Sequence, residues 1–490
     1  MFLGIDCGTQ GTKALVLDPR SGKILGHGAA PHKMMSAANG RREQDPAQWL
    51  EAFVTAVRQA LDAAGIDGQT IEGIGVSGQQ HGLVLLDAEG QVLRPAKLWC
   101  DTETVAENDR LLAQLGGPSG SLARLGIVIA PGYTVSKLLW TKEQFPALFE
   151  QVQAVLLPHD YLNYWLTGRR CTEYGDASGT GYFNVRERQW DLPLLRSIDP
   201  SGRLEAALPE LLEADQAVGQ VLAAVAERLG INPAAWVSSG GGDNMMGAIG
   251  TGNITAGEIT MSLGSSGTLY AYSDQPVIHS SSEVATFCSS TGGWLPLICT
   301  MNLTNVTGAM RELLQLDLPA FTRSVEQAPI GAEGVSMLPF LNGERVPALP
   351  RAQGSLHGLT STNFTAGNLC RAAVEGTTFG LRYGLDLLRD SGMPCDSIRL
   401  IGGGSRSPVW RQIVADIMDT PVIAAEEPEA AALGAAIQAA WCVSAGEFSL
   451  QDLCERCVRL DSDSRTLPDP QRVEAYESLY AQYRLRLPQA

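Results

Sequence analysis

Two carboxylates and two glycine turns are the residues whose types and spacing are suited to chemistry. Asp6 ends the apolar run Phe2-Leu3-Gly4-Ile5 and is followed by Cys7-Gly8-Thr9-Gln10-Gly11-Thr12-Lys13. Gly8, Gly11 and Thr12 recur, at one constant offset, as Gly264, Gly267 and Thr268. Each copy reads as an apolar strand, a Gly-x-x-Gly turn and a second apolar strand. A turn whose backbone N–H groups point outward cradles an anion. Two such turns (Gly8, Thr9, Gly11, Thr12 and Lys13; Gly264, Ser265, Ser266, Gly267 and Thr268) are therefore predicted to grip a polyphosphate between two lobes. Only the first copy carries a carboxylate, because Ser262 stands at the place equivalent to Asp6. Asp6 sits where open α/β sheets gather their sites, at a strand C-terminus. There it is expected to orient a hydrated Mg²⁺ on phosphate oxygens. Asp243 follows Gly240-Gly241-Gly242 and precedes the small-residue helix start Met245-Met246-Gly247-Ala248. A helix N-terminus favours its charge, and a carboxylate there can take the proton of a hydroxyl during phosphoryl transfer.

Three further segments suit ligands. Gly78-Gln79-Gln80-His81-Gly82 sets amide and imidazole groups between glycines, with Trp99 and Asp101 shortly after. Neutral hydrogen-bonding groups beside an apolar ring fit a polyhydroxyl molecule, so Gln80, His81, Trp99 and Asp101 are candidate sugar contacts. Gly402-Gly403-Gly404-Ser405-Arg406 offers a flat surface for a planar base; it is not G-x-G-x-x-G, so a dinucleotide reading is weak. Glu344-Arg345, in a dense loop, reads as a structural ion pair. Cys454-Glu455-Arg456-Cys457 is a lone C-x-x-C with no second pair or nearby His, which argues against zinc.

The elements that must position these groups follow from local pattern. Asp45-Pro46 caps and opens a helix running to about Ala64. Residues 71–77 read as a buried strand, Trp236-Val237 as a strand entering the triple glycine, and Leu369–Arg389 as a helix. Ser397–Ile401 reads as a strand, and Ser407-Pro408 opens a helix through about Met418. The strand–helix alternation gives an α/β layered fold, and the repeat places a boundary near residues 244–257.

The chain has 490 residues, 44% of them hydrophobic and 18% charged, and a net charge of −17. The length implies more than one domain. The charge disfavours a nucleic-acid partner, though a glycine cradle and a cation can reverse the sign locally. Met1 runs straight into the first strand and no apolar run is long enough for a bilayer. The ten scattered Cys fit a reduced cytoplasmic chain. No membrane partner is expected.

Taken together these motifs resemble the FGGY family of carbohydrate kinases, within the actin-like and hexokinase-like ATPases. Gly4–Lys13 is similar to the family's first phosphate loop. Residues 131–140 (Pro-Gly-Tyr-Thr-Val-Ser-Lys-Leu-Leu-Trp) resemble its N-terminal signature, Gly241-Gly242-Asp243-Asn244 its catalytic segment, and Gly402–Gln412 its C-terminal signature and adenosine pocket. Gly78–Gly82, residues 156–162 and Asp176-Ala177-Ser178-Gly179-Thr180 look most like the xylulokinase branch, with Gln80 where Met is common. Cys100-Asp101-Thr102-Glu103 lacks the Arg that often follows the family's tryptophan.

The resemblance implies a two-lobed fold with duplicated domains, 1–244 and 245–490, and an interlobe cleft. It implies ATP- and Mg²⁺-dependent phosphorylation of D-xylulose at O5. Asp243 would be the base and Asp6 would orient Mg²⁺. Gln80, His81, Trp99, Asp101 and Asn244 would bind sugar, and Gly403, Gly404 and Ser405 would line the nucleotide's base pocket. A homodimer is admitted by the same resemblance. Competing readings are a kinase of D-ribulose, L-ribulose or another polyol, a non-catalytic actin-like nucleotide switch, and a sugar-sensing module that has lost activity.

Overall fold

The computed structural model describes residues 1–444 and 446–488. Two large mixed sheets repeat one topology. In the first, Lys23–Pro31, Gly11–Asp18 and Phe2–Cys7 form an antiparallel meander; Gly73–Gly78 joins parallel to Phe2–Cys7, and Trp236–Ser238 joins parallel beyond it. In the second, Trp294–Thr300, Gly267–Ala271 and Gly257–Leu263 form the meander, followed in parallel by Cys395–Ile401 and Val422–Ala425. The repeated glycine turns are the hairpin tips of the two meanders. The sequence repeat is therefore a repeat of folding units.

The two tips are not superimposable. Cys7 pairs with Thr12, so Gly8 to Gly11 span the first tip. Leu263 pairs with Gly267, so only Gly264 to Ser266 span the second. The constant sequence offset thus hides a one-residue change of register. Asp6 lies opposite Lys13, whereas Ser262 lies opposite Thr268. Directly opposed residues share a face of the sheet. One lobe consequently presents the row Ser77, Asp6, Lys13 and the other the row Ser262, Thr268, Cys299.

Local sequence explains the helices. Asp45 accepts a hydrogen bond from the Ala47 N–H, Pro46 occupies the first turn, and Gly65 ends the helix in the left-handed region. Its buried face (Trp49, Phe53, Val57 and Leu61) covers the first sheet. Two helices join the lobes. Asp243–Gly250 leaves the first sheet directly after Gly241-Gly242, which pair with Ser77-Gly78. Ala430–Val443 comes from the C-terminal half yet packs on the first-sheet strands Phe2–Cys7 and Gly73–Gly78. Its alanines and Gly434 allow this: a Cβ on Gly434 would fall 1.8 Å from the Met246 carbonyl oxygen. No helix among the described residues is long and apolar enough to cross a membrane.

Candidate active site between the lobes

Asp243 heads its helix beside the substrate-type loop of Gly78–Gly82. The Asn244 backbone N–H and its side-chain Nδ2 both donate to Asp243 Oδ1, at 2.8 and 2.9 Å. The same Nδ2 donates to Gln80 Oε1 at 2.9 Å. A carboxylate only accepts, so these contacts fix the orientation of Asn244 and then of Gln80. Among the described residues, the Gln80 Nε2 donor is left buried and without a partner. A buried unsatisfied donor is costly, and a ligand oxygen would satisfy it. Gly242 is required here, because a Cβ would lie 2.7 Å from Gln80 Cγ. Burial, with the negative charges of Asp6 and Asp176, pushes the Asp243 carboxyl up to about 7.

Asp6 Oδ1 accepts from Ser77 Oγ at 2.9 Å. Oδ2 lies on the side of Gly8, at the first glycine turn. Burial lifts this carboxyl to about 6 against the lowering effects of Ser77 and Lys13. The turn itself is braced: Gly8 N–H donates to the Gly11 carbonyl at 3.0 Å, and the His32 ring bridges Thr12 Oγ1 and the Gly8 carbonyl. Lys13 pairs with Glu429 at 2.5 Å, across to the helix Ala430–Val443. Thr9 Oγ1 accepts from the Trp99 indole at 2.9 Å, which links the first turn to the sugar-type wall.

His81 stacks on Tyr133, with ring centroids 4.5 Å apart, and Phe287 of the second lobe closes on it at 5.7 Å. Its Nδ1 lies 2.8 Å from the Gly179 carbonyl, which can only accept. Burial and the Lys137 charge push the imidazole down to about 3. The ring is therefore neutral, with Nδ1 as donor and Nε2 as a free acceptor for a hydroxyl. Lys137, fully buried, donates to the His81 and Gly132 carbonyls at 2.6 and 2.7 Å and holds this wall in place.

On the second lobe, Gly267 N–H donates to Thr300 Oγ1 at 3.2 Å. Ser265 is exposed, and Ser266 and Thr268 are half-buried at the cleft. The triple glycine packs directly on this turn: a Cβ at Gly404 would lie 2.8 Å from Leu263 Cβ, whereas one at Gly403 would meet nothing. Gly403 is the open surface. Gly404 and Ser405 are buried, and the Ser405 hydroxyl is spent on the Gly402 carbonyl at 2.7 Å.

Three comparisons with known proteins bear on this geometry. The family models for the FGGY family of carbohydrate kinases match residues 1–250 (N-terminal domain) and 260–443 (C-terminal domain). The chain belongs to the FGGY family of carbohydrate kinases. A xylulose kinase of Haemophilus influenzae is 50% identical over 493 residues, covering 100% of both chains. One from Escherichia coli is 34% identical over 97% of this chain and 96% of its own. The crystal structure of a "xyloylose kinase" from Brucella ovis superposes with a TM-score of 0.91 at 31% identity, covering 99% of this chain and 98% of the other. The FGGY chain is an ATP-dependent carbohydrate kinase with the two-domain α/β fold of that family.

Within this FGGY kinase, two sequence expectations are corrected. Asp101 does not face a ligand. It is fully buried, with Oδ2 accepting from Lys97 at 3.0 Å and the Arg42 N–H at 2.8 Å, and Oδ1 from the Glu103 N–H. Its carboxylate is consumed in holding the loop that carries Trp99. Lys97 also contacts Glu43 and Glu103, so its ammonium fills the space that these three acids would otherwise offer a metal. Glu344 and Arg345 do not form an ion pair either. The buried Glu344 carboxylate accepts from the Met301 and Arg345 backbone N–H groups and from Asn302 Nδ2. The Arg345 guanidinium points elsewhere, with Nη1 3.6 Å from Cys299 Sγ.

Sequence reasoning gave no role to the buried group behind Asp243. His159 Nδ1 is 2.5 Å from Asp176 Oδ2, and Nε2 is 3.2 Å from Asp160 Oδ1. Glu173 accepts from the Gly175 and Asp176 N–H groups. These residues are fully buried. Burial pushes Asp160 and Glu173 up to about 7 and Asp176 well above the carboxylate range. The chain brings them to Asp243 from a remote segment, which no local pattern reveals.

Proposed function

We propose that this enzyme phosphorylates D-xylulose on O5, with Asp243 as the base. The observation that carries this reading is the Asp243–Asn244–Gln80 chain. A basic carboxylate and an unpartnered amide donor converge beside the neutral His81, between two phosphate-type turns. The names of the full-length relatives, xylulose kinases, support the sugar.

The residues divide the work. His81 Nε2 accepts from a sugar hydroxyl, Gln80 Nε2 donates to a sugar oxygen, and the Trp99 ring covers the C–H face. Asn244 holds Asp243 and Gln80 in register. Asp243 takes the O5 proton as O5 attacks the terminal phosphorus. The turns at Gly8, Thr9, Gly11, Thr12 and Lys13 and at Gly264, Ser265, Ser266, Gly267 and Thr268 hold the phosphate chain through their hydroxyls and the backbone N–H groups not bonded within the fold, the Gly8 and Gly267 N–H groups bracing the turns instead. Gly403, with Gly404 and Ser405 behind it, offers the surface for the adenine. Asp6, with Oδ2 turned to the first tip, would hold a hydrated Mg²⁺, which would supply positive charge against the phosphates. Positioning and charge stabilisation do most of the catalysis in such a transfer.

We take 1–244 and 245–490 as the working domain division, supported by one sheet in each half, and a cytoplasmic homodimer as the working assembly, which light scattering would check. A coupled assay over D-xylulose, D-ribulose, L-ribulose and polyols tests the substrate. The expected result is the highest kcat/KM for D-xylulose; a clear preference for another sugar overturns the sugar assignment but not the reaction. Gln80 is the observation that favours trying the ribuloses, because it adds a polar donor to the pocket wall.

A further inference from the structure

We propose that Arg345 is a catalytic cation of the second lobe, meeting the phosphoryl group in transit between nucleotide and sugar. This rests on the kinase reading above and goes beyond it by naming a residue that neither phosphate turn supplies.

The placement comes from backbone register. Thr268 of the second turn lies directly opposite Cys299, and Gly267 lies opposite Thr300. The face that carries Ser262, Thr268 and Cys299 also carries Tyr270, whose hydroxyl would be 2.7 Å from a Cβ on Gly247 of the helix headed by Asp243. Arg345 Nη1 reaches Cys299 Sγ on that face. The guanidinium therefore stands over the second phosphate turn, on the side of Asp243. Its charge is also felt at His81 and Tyr133, across the cleft.

The loop is built to hold it there. Glu344 is buried and clamps the end of the strand Trp294–Thr300 through the Met301 N–H at 2.7 Å and Asn302 Nδ2 at 2.9 Å. Asn302 Nδ2 also donates to the Gly343 carbonyl. Glu344 thus fixes the backbone while Arg345 stays exposed and, among the described residues, has no carboxylate within salt-bridge reach. Three lysines around the site are engaged. Lys13 is paired with Glu429, Lys97 is enclosed by three carboxylates, and Lys137 is buried against two carbonyls. A cleft that holds Asp6 and Asp243 and receives a polyphosphate needs a cation, and Arg345 is free to supply it.

The step balances without a covalent role for the arginine. O5–H gives its proton to the Asp243 carboxylate. The O5–P bond forms with the O5 electron pair, and the bond from the terminal phosphorus to the bridging oxygen breaks, that oxygen leaving with its pair as the nucleoside diphosphate. Charge on the three equatorial oxygens is spread during transfer, and Arg345 donates hydrogen bonds to one or two of them, a fork geometry that lysine does not reproduce.

Arg345→Gln and Arg345→Lys in the full chain test this. Both should keep the wild-type unfolding midpoint, because the side chain is exposed. Each is compared with wild type on whichever sugar the panel shows to be accepted, so a wrong sugar and a wrong Arg345 give separate results. The expected outcome is a fall in kcat of about 10²- to 10³-fold for Arg345→Gln, with sugar affinity measured by calorimetry without nucleotide unchanged. Arg345→Lys should recover only part of the turnover. Turnover of Arg345→Gln within about threefold of wild type would overturn the proposal. So would an unchanged kcat with weakened sugar binding, which would make Arg345 a sugar contact.

Discussion

Asp243 shows how one side chain acquires its chemistry from its setting. Its carboxyl is lifted to about 7 by burial first, then by Asp6 and Asp176. As the proposed base it must be ionised to accept a proton, so kcat/KM should fall as pH drops through about 7, by tenfold per unit below it. Asp6→Asn removes the larger of the repelling charges, and its residual turnover carries the test. Asp243 then ionises more readily, and the acid limb should move to lower pH. A pH–rate profile of both proteins checks this; a limb that stays in place in the variant would contradict the electrostatic account. Asp6, Asp243, Gln80, His81 and Trp99 could be singled out in the sequence because each sits at a strand end or beside glycines, and the fold gathers them at the cleft where their proposed roles would be exercised. Asp101 was misread because it also sits in such a loop, and only the fold shows that Lys97 and two backbone N–H groups take its oxygens.

Local signals fixed most elements. The helix Pro46–Ala64 begins and ends where Asp45, Pro46 and Gly65 place it, and Pro408–Met418 begins after Ser407, whose hydroxyl caps it. The expected strands at 71–77 and 397–401 appear as Gly73–Gly78 and Cys395–Ile401, and the helix read over 369–389 as Ala366–Asp390. The features that escaped depend on long-range placement. The register change between the two hairpin tips is one; the Ala430–Val443 helix lying on the first sheet is another. A third is the strap beside Trp99, where the Lys97 ammonium lies 3.3, 3.0 and 2.5 Å from Glu43, Asp101 and Glu103 and 3.9 Å from the centre of the Trp140 ring. Removing one partner of a buried ionic cluster leaves uncompensated charge. Lys97→Met should therefore cost about 3–5 kcal/mol, read as a lower midpoint in thermal or urea unfolding. An unchanged midpoint would show that the cluster is not structural.

At the scale of the whole molecule, the site belongs to neither lobe alone. His81 and Tyr133 come from the first and Phe287 from the second, and the two glycine turns are tips of separate sheets. Closing such a cleft excludes water and limits idle hydrolysis of the nucleotide. Phe287→Ala should raise the sugar KM about three- to tenfold through lost ring contact, while nucleotide affinity without sugar stays as it was. A variant with unaltered sugar KM would place the sugar wall in the first lobe only. The duplicated fold was legible because the Gly-x-x-Gly turn recurs. The bridging of the lobes was not, because it depends on contacts between segments far apart in the chain.

The most direct test of the account is the turnover of Asp243→Ala at saturating sugar and nucleotide, with sugar binding followed by calorimetry. The account predicts a kcat lower by about 10²- to 10⁴-fold with measurable sugar affinity retained. A variant that turns over at close to the wild-type rate would contradict it.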